Sequence, residues 1–516
     1  MRHELSNDTT KPERPIQKAA NATKAMTSAG KRNGKSVGRR TFVKASAAAG
    51  VVALTTSARS YGRIIGSNDE LRVAVIGFKG RGKALLGAIK RAEGAKLVGL
   101  CDVDEHILRD YDADNKQLFR TTDLREVLQR DDVDAIASAT PNHWHALLTC
   151  WASEAGKHVY IEKPISHNMY ESKMIVDVVR KNKTIVQCGF QNRSDSGLLT
   201  FFDNLLSGKY GQVLSVHGTC HRQRASIGKL DSPLTIPAHI NYDLWAGPAA
   251  KQDVMRPKLH YDWHWDFNTG NGDVGNQGPH EWDMMNWALG NPDQLPTEMV
   301  AAGNRFGWND AGNTPNVMAC AGVTNGIPFC FEVMDLKGGR KAPDGRGVGV
   351  IIQTDKGRFV GGRGGGQYVS NDGKQEVFQR DEATKRQDGL QSHMANFVKA
   401  VHDNDHTILR SEAAVAANSS AMAHMANISF QLAESAQAEQ LEAAFGQDVQ
   451  QRDMLARLRE SVMLFGMANE GVNRNEPWLL GPRLQFDNSN RQFTGAAAAE
   501  ANQKMTRDYR SGFELV

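Results

Sequence analysis

Six cysteines in 516 residues, none in C-x-x-C spacing, leave no material for a disulfide scaffold. Three of them, Cys101, Cys150 and Cys188, fall in segments expected to be buried, so free core thiols are predicted. The sequence has no strict glycine period and no repeat of 20 to 50 residues, which excludes collagen-like and solenoid architectures. The apolar run Ala45 to Leu54 is half of the roughly 20 residues that cross a bilayer, so no membrane anchor is expected. Excess charge is also scarce: 62 Lys and Arg against 58 Asp and Glu give a net +4. What is present, 40% apolar and 23% charged residues, is the composition of a folded chain with two or three domains.

The small basic excess is local. Residues 1–58 hold eleven Lys or Arg against three acids, and without them the balance is 51 to 55, about −4. The body therefore gives no electrostatic reason to expect nucleic acid. Within the leader, Gly38-Arg39-Arg40-Thr41-Phe42-Val43-Lys44 is followed by Ala45 to Leu54 and then Thr56-Ser57-Ala58. This order resembles a twin-arginine export signal, and it predicts a periplasmic or otherwise exported protein with residues 1–60 as the address. Twin-arginine export carries folded proteins, often with cofactor bound.

Leu71 to Ile76 reads as a buried strand, Gly77-Phe-Lys-Gly80-Arg-Gly82-Lys83 as a turn, and Ala84 to Glu93 as a helix. A P-loop would need Ser or Thr after Lys83 to hold magnesium, and Ala84 stands there. In the dinucleotide pattern G-x-G-x-x-G, Gly77 and Gly82 supply the first and third glycines, Lys79 takes the middle place, Gly80 follows it, and Arg81 precedes Gly82. A second strand, Lys96 to Leu100, leads to Asp102, 20 residues beyond Gly82. An acid there accepts ribose hydroxyls and repels a 2′-phosphate, which favours NAD over NADP. The strand Ala135 to Ala139 runs into Thr140-Pro-Asn142-His-Trp-His145, and His158 to Ile161 delivers Glu162-Lys163-Pro164. Repeated β-α-β steps predict a parallel, doubly wound sheet with its crevice at the carboxyl ends of the strands.

With Gly77 to Gly82, Asp102, Thr140 to His145, Glu162-Lys163-Pro164 and Gly272-Asp-Val-Gly-Asn276-Gln-Gly-Pro-His280-Glu-Trp-Asp283 in this order, the chain resembles the Gfo/Idh/MocA oxidoreductases over about residues 70–435. The resemblance implies a Rossmann domain, 68–192, and an α/β domain with an open, largely antiparallel mixed sheet, 193–435. The second domain would carry a sugar site and often an oligomer interface, so a homo-oligomer is expected; 436–516 is left as an extension. The same resemblance places Lys163 near nicotinamide and substrate and makes His280 the proton-transfer residue. It also sets Gln191 and Arg193, after the last Rossmann strand, beside the cleft.

The residue types suit that chemistry. Removing hydride from a carbinol carbon requires the hydroxyl proton to leave, and a neutral His280 imidazole can take it while the Lys163 ammonium stabilises developing alkoxide. One position departs from the family pattern. Asn276 stands four residues before the histidine, where sugar and inositol dehydrogenases commonly have Asp; Asp273 and Asp283 are nearby substitutes in sequence. Trp245, Tyr261 and Trp263 offer aromatic faces for a sugar ring. Neither the pair His260 and His264 nor the pair His143 and His145 has a zinc-protease pattern or a Cys companion, so no metal is expected. The glycine run Gly361 to Gly366 reads as a loop. Three functions stay open: an exported NAD(P)-dependent sugar or glycoside oxidoreductase, a glycosidase working by oxidation, elimination, water addition and re-reduction, and a non-enzymatic sugar or nucleotide binder.

Overall fold

Leu71–Ile76 forms β1 as an almost wholly buried strand, the pattern of a strand covered on both faces. The computed structural model describes residues 70–381, 389–446, 448–469 and 476–515; the leader, with its twin-arginine expectation, lies outside the described residues. Five further strands join β1: β2 (Ala95–Cys101), β3 (Phe119–Thr121), β4 (Ala135–Ser138), β5 (His158–Ile161) and β6 (Val186–Cys188), all parallel, in the order β3-β2-β1-β4-β5-β6. That order, reversing beside β1, is a doubly wound sheet with its switch point between β1 and β4. Helix α1 (Arg81–Arg91) turns Leu85, Leu86, Ala88 and Ile89 onto the sheet, and α2 (Asn142–Glu154) and α3 (Met169–Asn182) cover it elsewhere.

The second sheet has twelve strands. β7 (Val213–Cys220) lies at its centre between β10 (Ile327–Met334) and β11 (Val348–Thr354). Outward from β10 run β9 (Val317–Thr324) and β8 (Glu298–Asn304); outward from β11 run β12 (Gly357–Gly362), β13 (Gly365–Ser370) and β14 (Gln375–Gln379). Only β7 and β10 pair in parallel; the other pairs are antiparallel. One face packs on α4 (Ser196–Leu206), on α5 (Gly272–Asn276) with α6 (Pro279–Ala288), and on α8 (Ala413–Gln431), with Phe201, Phe202, Trp282 and Phe331 fully buried. Helix α7 (Gly389–Asp403) packs instead against the Rossmann core.

Two expectations change. The glycine run is not a loop: β12 extends to Gly362 and β13 starts at Gly365, leaving Arg363 and Gly364 as the hairpin turn. Strands form from glycines because a Cβ at Gly361 or Gly366 would collide with the Phe359 ring below them. Among the described residues, 436–494 are woven into the second sheet and its cover rather than appended to it. β15 (Glu434–Ala436), β16 (Trp478–Leu480), β17 (Leu484–Asp487) and β18 (Gln492–Thr494) extend its β8 edge. α9 (Ala438–Phe445) and α10 (Val449–Ala468) cover the face of β8 to β10 that α6 and α8 leave open.

Candidate active site

At the end of β1 the chain must turn tightly over the sheet, and Gly77 does so at φ +73°, where a Cβ would stand 3.0 Å from Thr140. A Cβ at Gly80 would meet nothing within 4 Å, so the backbone is open there to a close ligand. Gly82 sits inside the first turn of α1 against Gly77 and Phe78, which fits a close helix-to-strand contact. Asp102, at the end of β2, accepts the backbone N–H groups of Phe78 (3.0 Å) and Asp104 (3.1 Å). Burial nevertheless outweighs these bonds and pushes its carboxyl up to about 6.

Asn142 opens α2 almost fully buried, and its Nδ2 has no hydrogen-bond partner, leaving an amide donor unsatisfied at the cavity wall. His145 stands between two carbonyls, Pro164 O at 2.6 Å and Thr140 O at 2.9 Å, and with its pKa lowered by burial the neutral ring donates its single N–H to one of them. His143 stands likewise between Thr269 O and Trp245 O, and burial depresses it to about 3, so it too donates to one.

After β5 comes Glu162-Lys163-Pro164, whose Lys163–Pro164 peptide is cis. The Glu162 carboxylate pairs with Arg81 at 2.8 Å and accepts Gln191 Nε2 at 2.9 Å. Lys163 Nζ donates to the carbonyl of Asn276, and burial lowers its pKa. His280, in the first turn of α6, is 4% exposed; burial first, then the Lys163 and Arg363 charges, hold its imidazole well below the usual range and therefore neutral. Its Nδ1 has no partner, so no carboxylate pairs with it among the described residues. Asp283 belongs to a buried ion pair with Arg193 at 2.7 Å. Asp273 pairs with Arg224 at 2.7 Å and accepts Asn276 Nδ2 at 3.2 Å. The carboxylate missing at position 276 is thus present one hydrogen bond behind it, turned toward Arg224 rather than toward the histidine.

These groups surround one cavity of about 760 Å³. The dinucleotide turn reaches it through Gly77, Lys79, Gly80 and Arg81, with Asp102 beside them. Thr140, Asn142, His145, Glu162 and Lys163 line it from the ends of β4 and β5. Asn276, His280, Trp245, Tyr261 and Trp263 close it from the second domain. Tyr261 holds a left-handed φ of +69°, uncommon for a tyrosine, and its hydroxyl accepts Arg224 Nη1 at 2.9 Å. Three candidates lie off the wall: Gly82 packs behind it, Gln191 supports Glu162, and Arg193 is buried with Asp283 and Asn291. The wall also includes residues that were not site candidates: Trp144 and Gln277 inside the quoted motifs, His260 weighed only as a metal ligand, and Arg222, Arg224 and Arg363. Because Asn142 and Asp102 leave donor and acceptor capacity at the wall and the glycine turn lets a backbone approach, the residues present fit a dinucleotide.

Asp104, His106 and His239 bring potential metal-ligand atoms within 4.8 Å of one another. The two imidazoles are stacked at 3.6 Å with planes 8° apart, so their in-plane lone pairs run parallel instead of converging on an ion. Asp104 is otherwise engaged, accepting His106 N at 3.1 Å and His260 Nε2 at 3.2 Å, and the group fastens residues 239–260 to the end of β2. His264 points elsewhere, to Tyr261 O at 2.6 Å. All six cysteines are free and buried, as expected.

Fold and cavity together define a Rossmann dinucleotide-binding domain with a mixed-sheet second domain. Residues 71–190 match the NAD-binding Rossmann fold of the GFO/IDH/MocA oxidoreductase family and 215–314 match its C-terminal alpha/beta domain. It is 29% identical over 224 residues to glycosyl hydrolase family 109 protein 2 of Shewanella sp. (strain ANA-3), covering 37% of this chain and 48% of that one. It is 33% identical over 99 residues to levoglucosan dehydrogenase of Pseudarthrobacter phenanthrenivorans, covering 19% and 25%. The chain thus spans about half or less of these curated relatives. Among solved structures, a levoglucosan dehydrogenase with NADH and levoglucosan has the same fold at TM-score 0.54 and 18% identity, covering 69% of this chain and 95% of that one. The WlbA dehydrogenase of Bordetella pertussis with NADH and UDP-GlcNAcA gives 0.51 and 19%, covering 68% and 94%. Among the described residues no helix is long and apolar enough to cross a membrane.

Proposed function

We propose that the chain oxidises a hydroxyl-bearing carbon of a sugar or glycoside with NAD as hydride acceptor. The observation that carries this reading is the placement of Lys163 and His280 in one cavity with the glycine turn and Asp102. His280 is kept neutral by burial and by Lys163, so it can accept the hydroxyl proton. The Lys163 ammonium, fixed by the Asn276 carbonyl, then stabilises the oxygen as negative charge develops. Tyr261 and Trp263 supply aromatic faces to a sugar ring. Asp102 favours an unphosphorylated ribose and so NAD over NADP. We extend the proposal to export, which rests on Arg39-Arg40 and the segment after them.

A second reading, redox-neutral cleavage of a glycoside, is favoured by the likeness to family 109 glycosyl hydrolases. There the transient ketone acidifies the adjacent C–H, the aglycone leaves by elimination, water adds, and the ketone is reduced again. Mass spectrometry of products from a panel of aryl glycosides separates the two, since oxidation yields a ketone and cleavage yields free sugar and phenol. Lys163→Ala is expected to lower kcat by about 10²- to 10³-fold and His280→Ala by about 10²- to 10⁴-fold in either case. Unchanged kcat in both variants would remove this site from consideration.

A further inference from the structure

Seven Lys or Arg side chains line the cavity against two carboxylates, Asp102 and Glu162. Part of this charge is already balanced: Arg81 is paired with Glu162, and Arg224, which lines the wall, with Asp273 behind it. Lys79, in the glycine turn, lines the wall and its charge acts on Asp102. Besides Lys163, three cations remain on the wall, Lys258, Arg222 after β7 and Arg363 at the β12–β13 turn; both arginines are exposed, and neither guanidinium has a hydrogen bond or ion pair among the described residues. The acids nearest Arg363 do not neutralise it. Glu162 is engaged by Arg81, and buried Glu281 is pushed up to about 8, so it is uncharged at neutral pH. Arg363 is also not a side chain drifting on a loose loop. Gly364 N donates to Asp195 Oδ2 at 3.1 Å, and Asp195 is itself paired with Arg380 at 2.6 Å, so the turn is anchored beside the cavity.

Resting on the reading that this cavity binds a sugar, we infer that the substrate carries an oxyanion, a carboxylate, sulfate or phosphate, which Arg222 and Arg363 hold beside Lys163 and His280. Both guanidinium groups reach the cavity wall from exposed positions with no carboxylate partner among the described residues, and Arg presents a planar fork matched to an oxyanion.

The test is equilibrium binding to the full chain loaded with NADH, by calorimetry, of four ligands: a hexose, the corresponding hexuronate, the hexose 6-sulfate and the hexose 6-phosphate. At least one anionic ligand should bind at least tenfold more tightly than the hexose, and the ratio should shrink in 0.5 M salt. The ratio should fall toward one in Arg363→Met and recover partly in Arg363→Lys. Which arm binds best identifies the oxyanion. Equal binding of all four ligands, or a ratio unchanged in Arg363→Met, overturns the inference while leaving sugar oxidation standing if the hexose is turned over. Preferential anion binding with no ketone and no cleavage product from any arm would uphold the inference and remove the proposed reaction.

Discussion

Asp102 is held between two demands. Its two backbone donors favour the carboxylate, but burial raises its pKa to about 6, so the charge that would accept ribose hydroxyls is lost as the medium is acidified through that value. NAD affinity should therefore weaken as pH falls, by up to about tenfold between pH 7 and pH 5 in a fluorescence titration, and the slope should vanish in Asp102→Asn. Asp102→Ser should also narrow the preference for NAD over NADP; a preference unchanged by the substitution would detach Asp102 from the ribose. Residues of this kind were legible in the sequence because they stand at fixed offsets from strand ends: Asp102 after β2, Thr140 after β4, Lys163 after β5. Arg222 and Arg363 were not, since they reach the cavity from strands of the other domain, where no local spacing marks them. The question raised by Asn276 could be answered only in space, by Asp273 turning to Arg224.

At the scale of elements, the parallel sheet was readable because each strand is a short apolar run with a turn signal behind it. The β12–β13 hairpin was misread for a physical reason: glycine has low strand propensity, and what selects it here is the Phe359 ring under the sheet, invisible to local pattern. Helix α10 was not legible as a cover, since the extension carried no mark of what it packs on. It lays Met454, Leu455 and Leu458 on the outer face of β8 to β10, and Arg457 reaches buried Glu332 at 2.9 Å. Leu458 is fully buried, so Leu458→Ala should cost about 2–5 kcal/mol in chemical denaturation, from lost transfer energy plus the cavity left behind. A loss below about 0.5 kcal/mol would mean that α10 does not contribute to the cooperative core.

At the scale of the molecule, the last described residues return to the Rossmann domain. After β18 the chain runs past α2 and α3, with Phe513 edge-on to Trp144 at 5.6 Å. Arg510 donates to Gly247 O at 3.1 Å, and Arg507 donates to the carbonyls of His143 and Asn268, each at 3.0 Å. Arg507 also faces Glu171, a fully buried carboxylate in the first turn of α3 at 3.3 Å. Burial raises the Glu171 pKa, and the Arg507 charge opposes that rise. Removing the guanidinium leaves a buried carboxylate without its cation, so Arg507→Met should cost about 3–5 kcal/mol near pH 8. The sign with pH follows from linkage. With its folded-state pKa raised further above the unfolded value, Glu171 takes up a proton on folding in the variant. The deficit against the parent protein should therefore shrink as pH falls from 8 toward 5. Parallel denaturation curves of the two proteins across that range measure it directly. A deficit that stays constant, or grows on acidification, would show that Arg507 acts through its bonds to the His143 and Asn268 carbonyls and its packing, and that the charge pair with Glu171 contributes nothing to keeping the cavity wall in place.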